Sequence, residues 1–205
     1  MRALLGRVLV GDVPARYYVF ALSYMLGVKL MAAALHRVIV GAWPPFGRES
    51  LFMIPFAVAI SVPFQAGEEL GWRGYALPRL AVRFGLARAS LLLGVIWACW
   101  HVPQFYIADA DTYHRSFLVW APQVVAMSVA FAWLYARTGG SLLLVMLLHA
   151  AINNTKDVVP SGTGPAPGVF SLHASAVSWI TLGLLWLCAL YLLRYAWPPS
   201  NATRA

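Results

Sequence analysis

Seven residues of this chain carry side chains suited to chemistry and stand where such side chains are costly. Glu68, Glu69 and Arg73 fall in GEELGWRG (67–74), Trp97 and His101 in GVIWACWHVPQFY (94–106), and His149 and Asn153 in LLLVMLLHAAINNT (142–155). All three stretches are otherwise apolar. A charged group in the bilayer core costs roughly 2.5–3.5 kcal/mol even on a lenient scale, so each needs a partner, an aqueous cavity or a task. Glu69 and Arg73 are four apart on one helical face and can pair. Glu68 lies about 100° round the helix, on the side of Gly71 and Trp72, with no local partner. A desolvated carboxylate without a partner is placed to act as a general base. His101 follows Trp97 by one turn and precedes Pro103, whose missing N–H opens the helix near Cys99. Backbone opened at membrane depth implies a protein-lined or watery cavity. His149 and Asn153 are also four apart and share a face. The plain alternative is that the glutamates end a helix in the headgroup region and each histidine is a hydrogen-bonded packing residue.

The elements that must position these residues are membrane helices. The 205 residues are 61% hydrophobic and 11% charged, with nine tryptophans, too little polar surface for a water-soluble globule. Six stretches approach or meet the roughly 20 residues needed to span a bilayer: about 18–41, 51–72, 90–107, 116–136, 141–158 and 170–194. Loop-like runs separate them: WPPFGRES, PRLAVRFGLAR, ADADTYHR, RTGGS and VVPSGTGPAPG. The expected fold is all-α, a polytopic membrane helical bundle of about six transmembrane helices with a short interfacial N-terminal segment. No repeat or long linker divides it, so residues 1–205 form a single integral membrane domain. The N-terminus does not read as a signal peptide, because Arg7 and Asp12 interrupt its apolar region. Cys99 and Cys188 lie in apolar runs and support neither a disulfide framework nor a cysteine metal site.

Charge sets orientation and depth. Nine basic residues fall on the side shared by the two termini: Arg2, Arg7, Arg16, Arg79, Arg83, Arg88, Arg137, Arg194 and Arg204. The other side receives three, Arg48, Arg115 and Lys156. The asymmetry predicts both termini cytoplasmic, and it explains the net charge of +8 without nucleic acid. Lys29 and Arg37 are expected to carry their charge to an interface on long stems, and His36 to end a helix. At 1.5 Å per residue, Glu68 lies ~25 Å into its outside-to-inside segment, while His101 and His149 lie ~16 and ~12 Å from the cytoplasmic edge. The motif residues can therefore meet in the cytoplasmic half of the membrane.

These residues resemble the CPBP family of intramembrane proteases, named for CAAX proteases and bacteriocin-processing enzymes and also called the Abi or type II CAAX prenyl endopeptidase family. The resemblance rests on E-E-x-x-x-R (Glu68, Glu69, Arg73), an aromatic-x-x-x-His (Trp97, His101) and H-x-x-x-N (His149, Asn153), in order on separate helices. It covers a core of about 60–158. The family more often has phenylalanine where Trp97 stands, which preserves an aromatic wall. The resemblance implies an intramembrane endopeptidase acting on a membrane-associated substrate, of the prenylated CAAX type or another lipidated or membrane-embedded protein. Glu68 and His101 would hold and deprotonate a water, and His149 and Asn153 would donate to the oxyanion. Glu69, Arg73 and Trp97 would support them, with either Glu68 or Glu69 able to take the base role. Members are often called metalloproteases, and Glu68, His101 and His149 form a possible ligand set for Zn2+ or another divalent metal. No H-E-x-x-H is present and Asn153 is a poor zinc ligand, so the reading prefers no cofactor. The rivals are a non-catalytic bacteriocin-immunity or membrane chaperone-like factor and a small transporter. The expected location is the plasma membrane, multi-pass.

Overall fold

A computed structural model of the chain describes residues 2–47, 49, 51–155, 158–160 and 166–197. Among them there are helices and no strands. They run α1 (Arg2–Gly6), a 3-10 turn Arg7–Leu9, α2 (Ala15–Val40), a 3-10 turn Leu51–Met53, and α3 (Ile54–Gly71). A π-helical turn Trp72–Ala76 leads to α4 (Leu77–Phe84), then α5 (Leu86–Trp100) and a 3-10 turn Val102–Tyr106. α6 (Phe117–Arg137), α7 (Leu142–Thr155), α8 (Ala176–Tyr191) and a second π turn Leu192–Ala196 complete the order. The all-α expectation holds.

Among the described residues, four helical stretches are long and apolar enough to cross a membrane: Ala15–Val40, Leu86–Tyr106, Phe117–Arg137 and Ala176–Ala196. They answer to the first, third, fourth and sixth expected segments. α7 is apolar but shorter, about 21 Å at 1.5 Å per residue. Leu142, Leu144, Val145, Leu148 and Ala150 on it are all buried, so its apolarity serves protein packing. α3 is apolar in its first half and carries Gln65, Glu68 and Glu69 in its second. Large apolar side chains point outward on the surrounding helices, among them Leu26, Leu30, Phe56, Phe64, Ile96, Leu187 and Leu190. An inner polar site with an outer apolar coat is the exposure pattern of a protein dissolved in lipid. The chain is a multi-pass membrane protein.

Two boundaries differ from expectation in ways that bear on the site. The stretch PRLAVRFGLAR, read as a loop, is largely helical. Pro78 stands at the start of α4, directly after the π turn, without interrupting the helical path, and the reversal is confined to Gly85. Gly85 has φ +75°, open to glycine at little cost. The last segment begins at Ala176 rather than near 170, capped by the Ser175 hydroxyl accepting from the Ser178 N–H. Lys156 and Asp157, at the end of the expected fifth segment, lie outside the described residues.

α7 runs through the middle, with α2 and α3 packed along it and α6 beside it. α5 and α6 pack most extensively. Gly94 permits that contact: a Cβ there would come 2.8 Å from Val125 Cα and 2.9 Å from Ser128 Cβ. Small residues at a crossing let membrane helices approach closely. The N-terminal segment is tied down over the α6–α7 turn, by Arg7 Nη1 donating to Tyr135 Oη (2.6 Å) and Ser141 Oγ donating to the Val10 carbonyl (2.5 Å).

Candidate active site

The last turn of α3 delivers Glu68 and Glu69 to different surroundings. Glu69 is fully buried and accepts from Arg73 Nη1 at 2.9 and 3.2 Å. It also takes a contact that sequence spacing did not suggest: His149 Nδ1 lies 2.7 Å from Glu69 Oε1 across to α7. Glu68 is half-buried and lines a cavity of about 360 Å³ together with Trp97, His101, His149 and Asn153. Glu69 does not line it. The adjacent carboxylates thus separate into one facing the cavity and one committed to an ion pair.

Glu68 was expected to lack a partner, and within its own helix it does. Across the interface, Trp97 Nε1 donates to Glu68 Oε2 at 2.8 Å. A phenylalanine at this position would keep the wall and lose that bond, so the tryptophan contributes more than an aromatic surface. The Trp97 ring also stacks on the Arg73 guanidinium at 4.2 Å, with the Phe131 ring at 4.1 Å. Arg73 is fully buried, its charge met by Glu69 and by two aromatic faces. The π turn that begins at Trp72 follows at once, its Leu77 N–H reaching back to the Trp72 carbonyl. Such turns recur at functional sites.

His101 caps α5. Its backbone N–H bonds the Ala98 carbonyl in a tightened turn, and its ring Nδ1 lies 2.7 Å from the Trp97 carbonyl. A carbonyl only accepts, so Nδ1 carries a hydrogen and the neutral ring keeps its lone pair on Nε2. The ring sits among Trp97, Trp100 and Trp120, with centroids at 5.7, 4.9 and 5.2 Å. His149 is fixed by the same logic: Nδ1–H donates to Glu69, while Trp97 and Phe131 flank the ring at 5.5 and 5.6 Å. The neutral His149 also keeps its lone pair on Nε2, and it donates from that atom only when doubly protonated. One turn on, the Asn153 amide has no hydrogen bond to any described residue and opens into the cavity.

Every expected site residue is therefore brought to one place, with Trp97 touching most of them. Sequence reading missed Trp120 and Phe131, whose only signal was aromaticity in an already aromatic chain. Lys29 lines the cavity with Arg115, Asp111, Gln104, Gln123 and His173. Arg115 lies outside the spans, and burial holds its guanidinium below its ordinary range while nearby Asp111 acts the other way.

A divalent metal fits this arrangement poorly. Among the described residues, no three of His, Cys, Asp and Glu converge closely enough to hold one ion. Glu69, the carboxylate that orients His149, is itself tied to Arg73.

Comparison with known proteins converges on the same stretch. The model of the type II CAAX prenyl endopeptidase Rce1-like family matches residues 48–155. A relative called CAAX prenyl protease 2, from Methanococcus maripaludis, is 30% identical over 98 residues. The match covers 45% of this chain and 36% of that relative, so this chain spans well under half of the relative's length.

Proposed function

We propose that this chain, which belongs to the type II CAAX prenyl endopeptidase Rce1-like family, is an intramembrane endopeptidase using a glutamate-activated water. The observation that carries the reading is that Glu68, His101, His149 and Asn153 line one shared cavity. Glu68 and the His101 Nε2 lone pair offer two acceptors to one water, which orients it and leaves an oxygen lone pair for attack. Glu68 takes the proton as the oxygen bonds to the scissile carbonyl carbon. The negative charge that develops on the carbonyl oxygen is met by the Asn153 amide and by His149. Since His149 Nδ1–H is held by Glu69, it serves the oxyanion as an imidazolium with Glu69 as counter-ion. Collapse of the tetrahedral intermediate breaks the C–N bond, and the proton held by Glu68 passes to the leaving amine. No metal takes part in this scheme.

The substrate proposed is a prenylated or otherwise membrane-tethered peptide, in keeping with the name of the relative, CAAX prenyl protease 2. The proposed setting is the plasma membrane, with six spans, both termini cytoplasmic and the site in the cytoplasmic half. The test is cleavage of a farnesylated peptide by the purified full chain, beside Glu68→Gln, before and after chelation. Cleavage that needs Glu68 and survives chelation is expected. Full activity in Glu68→Gln removes the base, and activity lost to chelation and restored by Zn2+ removes the metal-free scheme.

A further inference from the structure

α3 and the π turn that continues it meet α7 along a seam, and a residue from outside both closes its end. A Cβ on Gly74 would lie 2.6 Å from Leu4 Cδ1 and 3.2 Å from Leu142 Cδ1, so a leucine of α1 fills the space that the glycine leaves beside α7. Gly74 follows Glu69 by five residues and is buried in the π turn. Leu142 precedes His149 by seven residues, two turns along the same face of α7. The Leu4 contact and the 2.7 Å contact of Glu69 with His149 therefore mark two ends of one seam, roughly 10 Å apart.

That seam needs support because Arg73 is held through one nitrogen. Its Nη1 bonds Glu69, while Nε and Nη2 are buried with no hydrogen-bond partner among the described residues. The faces of Trp97 and Phe131 attract the charge without fixing its direction. A guanidinium anchored through one nitrogen is free to pivot, so its place follows the backbone of the π turn, and the alignment of Glu69 on His149 follows from that. Leu4 lies against this backbone.

The segment bearing Leu4 is itself tied down. Leu4 and Val8 pack inward on the core, while Leu5 and Leu9 point outward. Arg7 Nη1 reaches Tyr135 Oη on α6. The Val10 carbonyl accepts from the Ser141 hydroxyl, which in turn accepts from the Leu144 N–H at the start of α7. One segment thus touches the π turn and is bonded to the first turn of the helix that carries His149 and Asn153. It stands outside residues 48–155, the part matched to the family.

We propose that Leu4 is a positioning residue: held by the N-terminal segment, it fixes the π turn against α7 and so keeps Arg73 and Glu69 aligned on the His149 ring. Its effect on cleavage rests on the endopeptidase reading above, whereas its effect on His149 rests on the packing alone.

The test uses the full chain in nanodiscs and has two readouts. Proton–nitrogen NMR of histidine-labelled protein reports the His149 Nδ1–H, shifted downfield by its carboxylate acceptor, and loss of the resonance in His149→Ala assigns it among the five histidines. Cleavage of the farnesylated peptide gives kcat and KM. Leu4→Ala should move the resonance upfield and lower kcat roughly tenfold with KM within about twofold, since a small misplacement of the reacting groups is felt in the transition state. Leu4→Met keeps the reach and should match wild type in both readouts. Leu4→Ala with Gly74→Ala returns a methyl to the vacated space and should recover the resonance and bring kcat to within about threefold of wild type. Thermal unfolding shows which variants are folded at the assay temperature; if Leu4→Ala is not, Leu4→Val carries the test with the same readouts. An unmoved resonance in the folded variant overturns the proposal whatever the change in stability, because a segment that only adds stability leaves the folded site as it was. A moved resonance with unchanged kcat overturns it too, as does recovery by neither Leu4→Met nor the double substitution. Absence of Glu68-dependent cleavage by the wild type counts against the endopeptidase reading, while the resonance still reports on the Leu4 contact.

Discussion

Adjacent residues of the same type are expected to respond oppositely to the same substitution. Glu69 is wholly enclosed, accepts from Arg73 at 2.9 and 3.2 Å and from His149 at 2.7 Å, and Arg73 is equally enclosed. Glu69→Gln keeps the shape and removes the charge, so Arg73 loses its hydrogen-bonded counter-ion and is left with two aromatic faces and the charge of Glu68 nearby. Breaking one partner of a buried pair costs about 3–5 kcal/mol. Stacking on Trp97 and Phe131 persists and retains about 2 kcal/mol of attraction, which places the loss near the lower end, about 3 kcal/mol. Glu68→Gln is different, because the Gln carbonyl can still accept from the Trp97 indole and the side chain faces a cavity. Its cost should stay below about 1 kcal/mol, while activity falls by roughly 10²–10⁴, the contribution of a general base. The assay is unfolding of both variants by SDS titration in mixed micelles, read by tryptophan fluorescence, beside peptide cleavage. Equal stabilities of the two variants, or a stable Glu69→Gln, would refute the division of labour.

A paired substitution separates the energetic role of Glu69 from its positional one. Replacing both members of a buried ion pair by apolar residues is often neutral for stability. Glu69→Leu with Arg73→Met should therefore unfold within about 1 kcal/mol of wild type, and yet remain inactive because His149 Nδ1 has lost its acceptor.

Other expectations follow from single contacts. Asn153→Ala should lower kcat by roughly 10²–10³ with little change in unfolding, since its amide faces the cavity without a described partner. Gly94→Ala should destabilise by about 1–3 kcal/mol in the same titration, because the added Cβ meets backbone at Val125 Cα, 2.8 Å away. Trp97→Phe should fold and keep measurable cleavage, since the ring over Arg73 is preserved and one bond to Glu68 is lost. Trp97→Ala should cost about 3–5 kcal/mol by opening a cavity between Arg73, His101 and His149.

What the sequence made legible is what helical periodicity can carry. The Glu69–Arg73 pair follows from a spacing of four, and the meeting of α3, α5 and α7 follows from counting residues along each helix. The bond from Trp97 to Glu68 spans 29 residues and that from His149 to Glu69 spans 80, and no period links them. Their existence depends on how α5 and α7 rotate against α3, which is set by contacts such as Gly94 on Ser128 that a single sequence does not reveal. Likewise Pro78 and Gly85 both read as breakers, although the helical path continues through the proline and only the glycine turns the chain.

The cavity beside Lys29 was hidden from the sequence for a related reason. A long stem lets a lysine reach an interface, and composition alone cannot say whether an interface or a cavity lies within reach. Arg115, 86 residues on, lines the same cavity, as do Glu68 and His101. Intramembrane charges in this chain are therefore better understood in pairs across helices than one at a time. Arg73 is neutralised by Glu69, which holds His149, and Lys29 and Arg115 share the cavity with the Asp111 carboxylate.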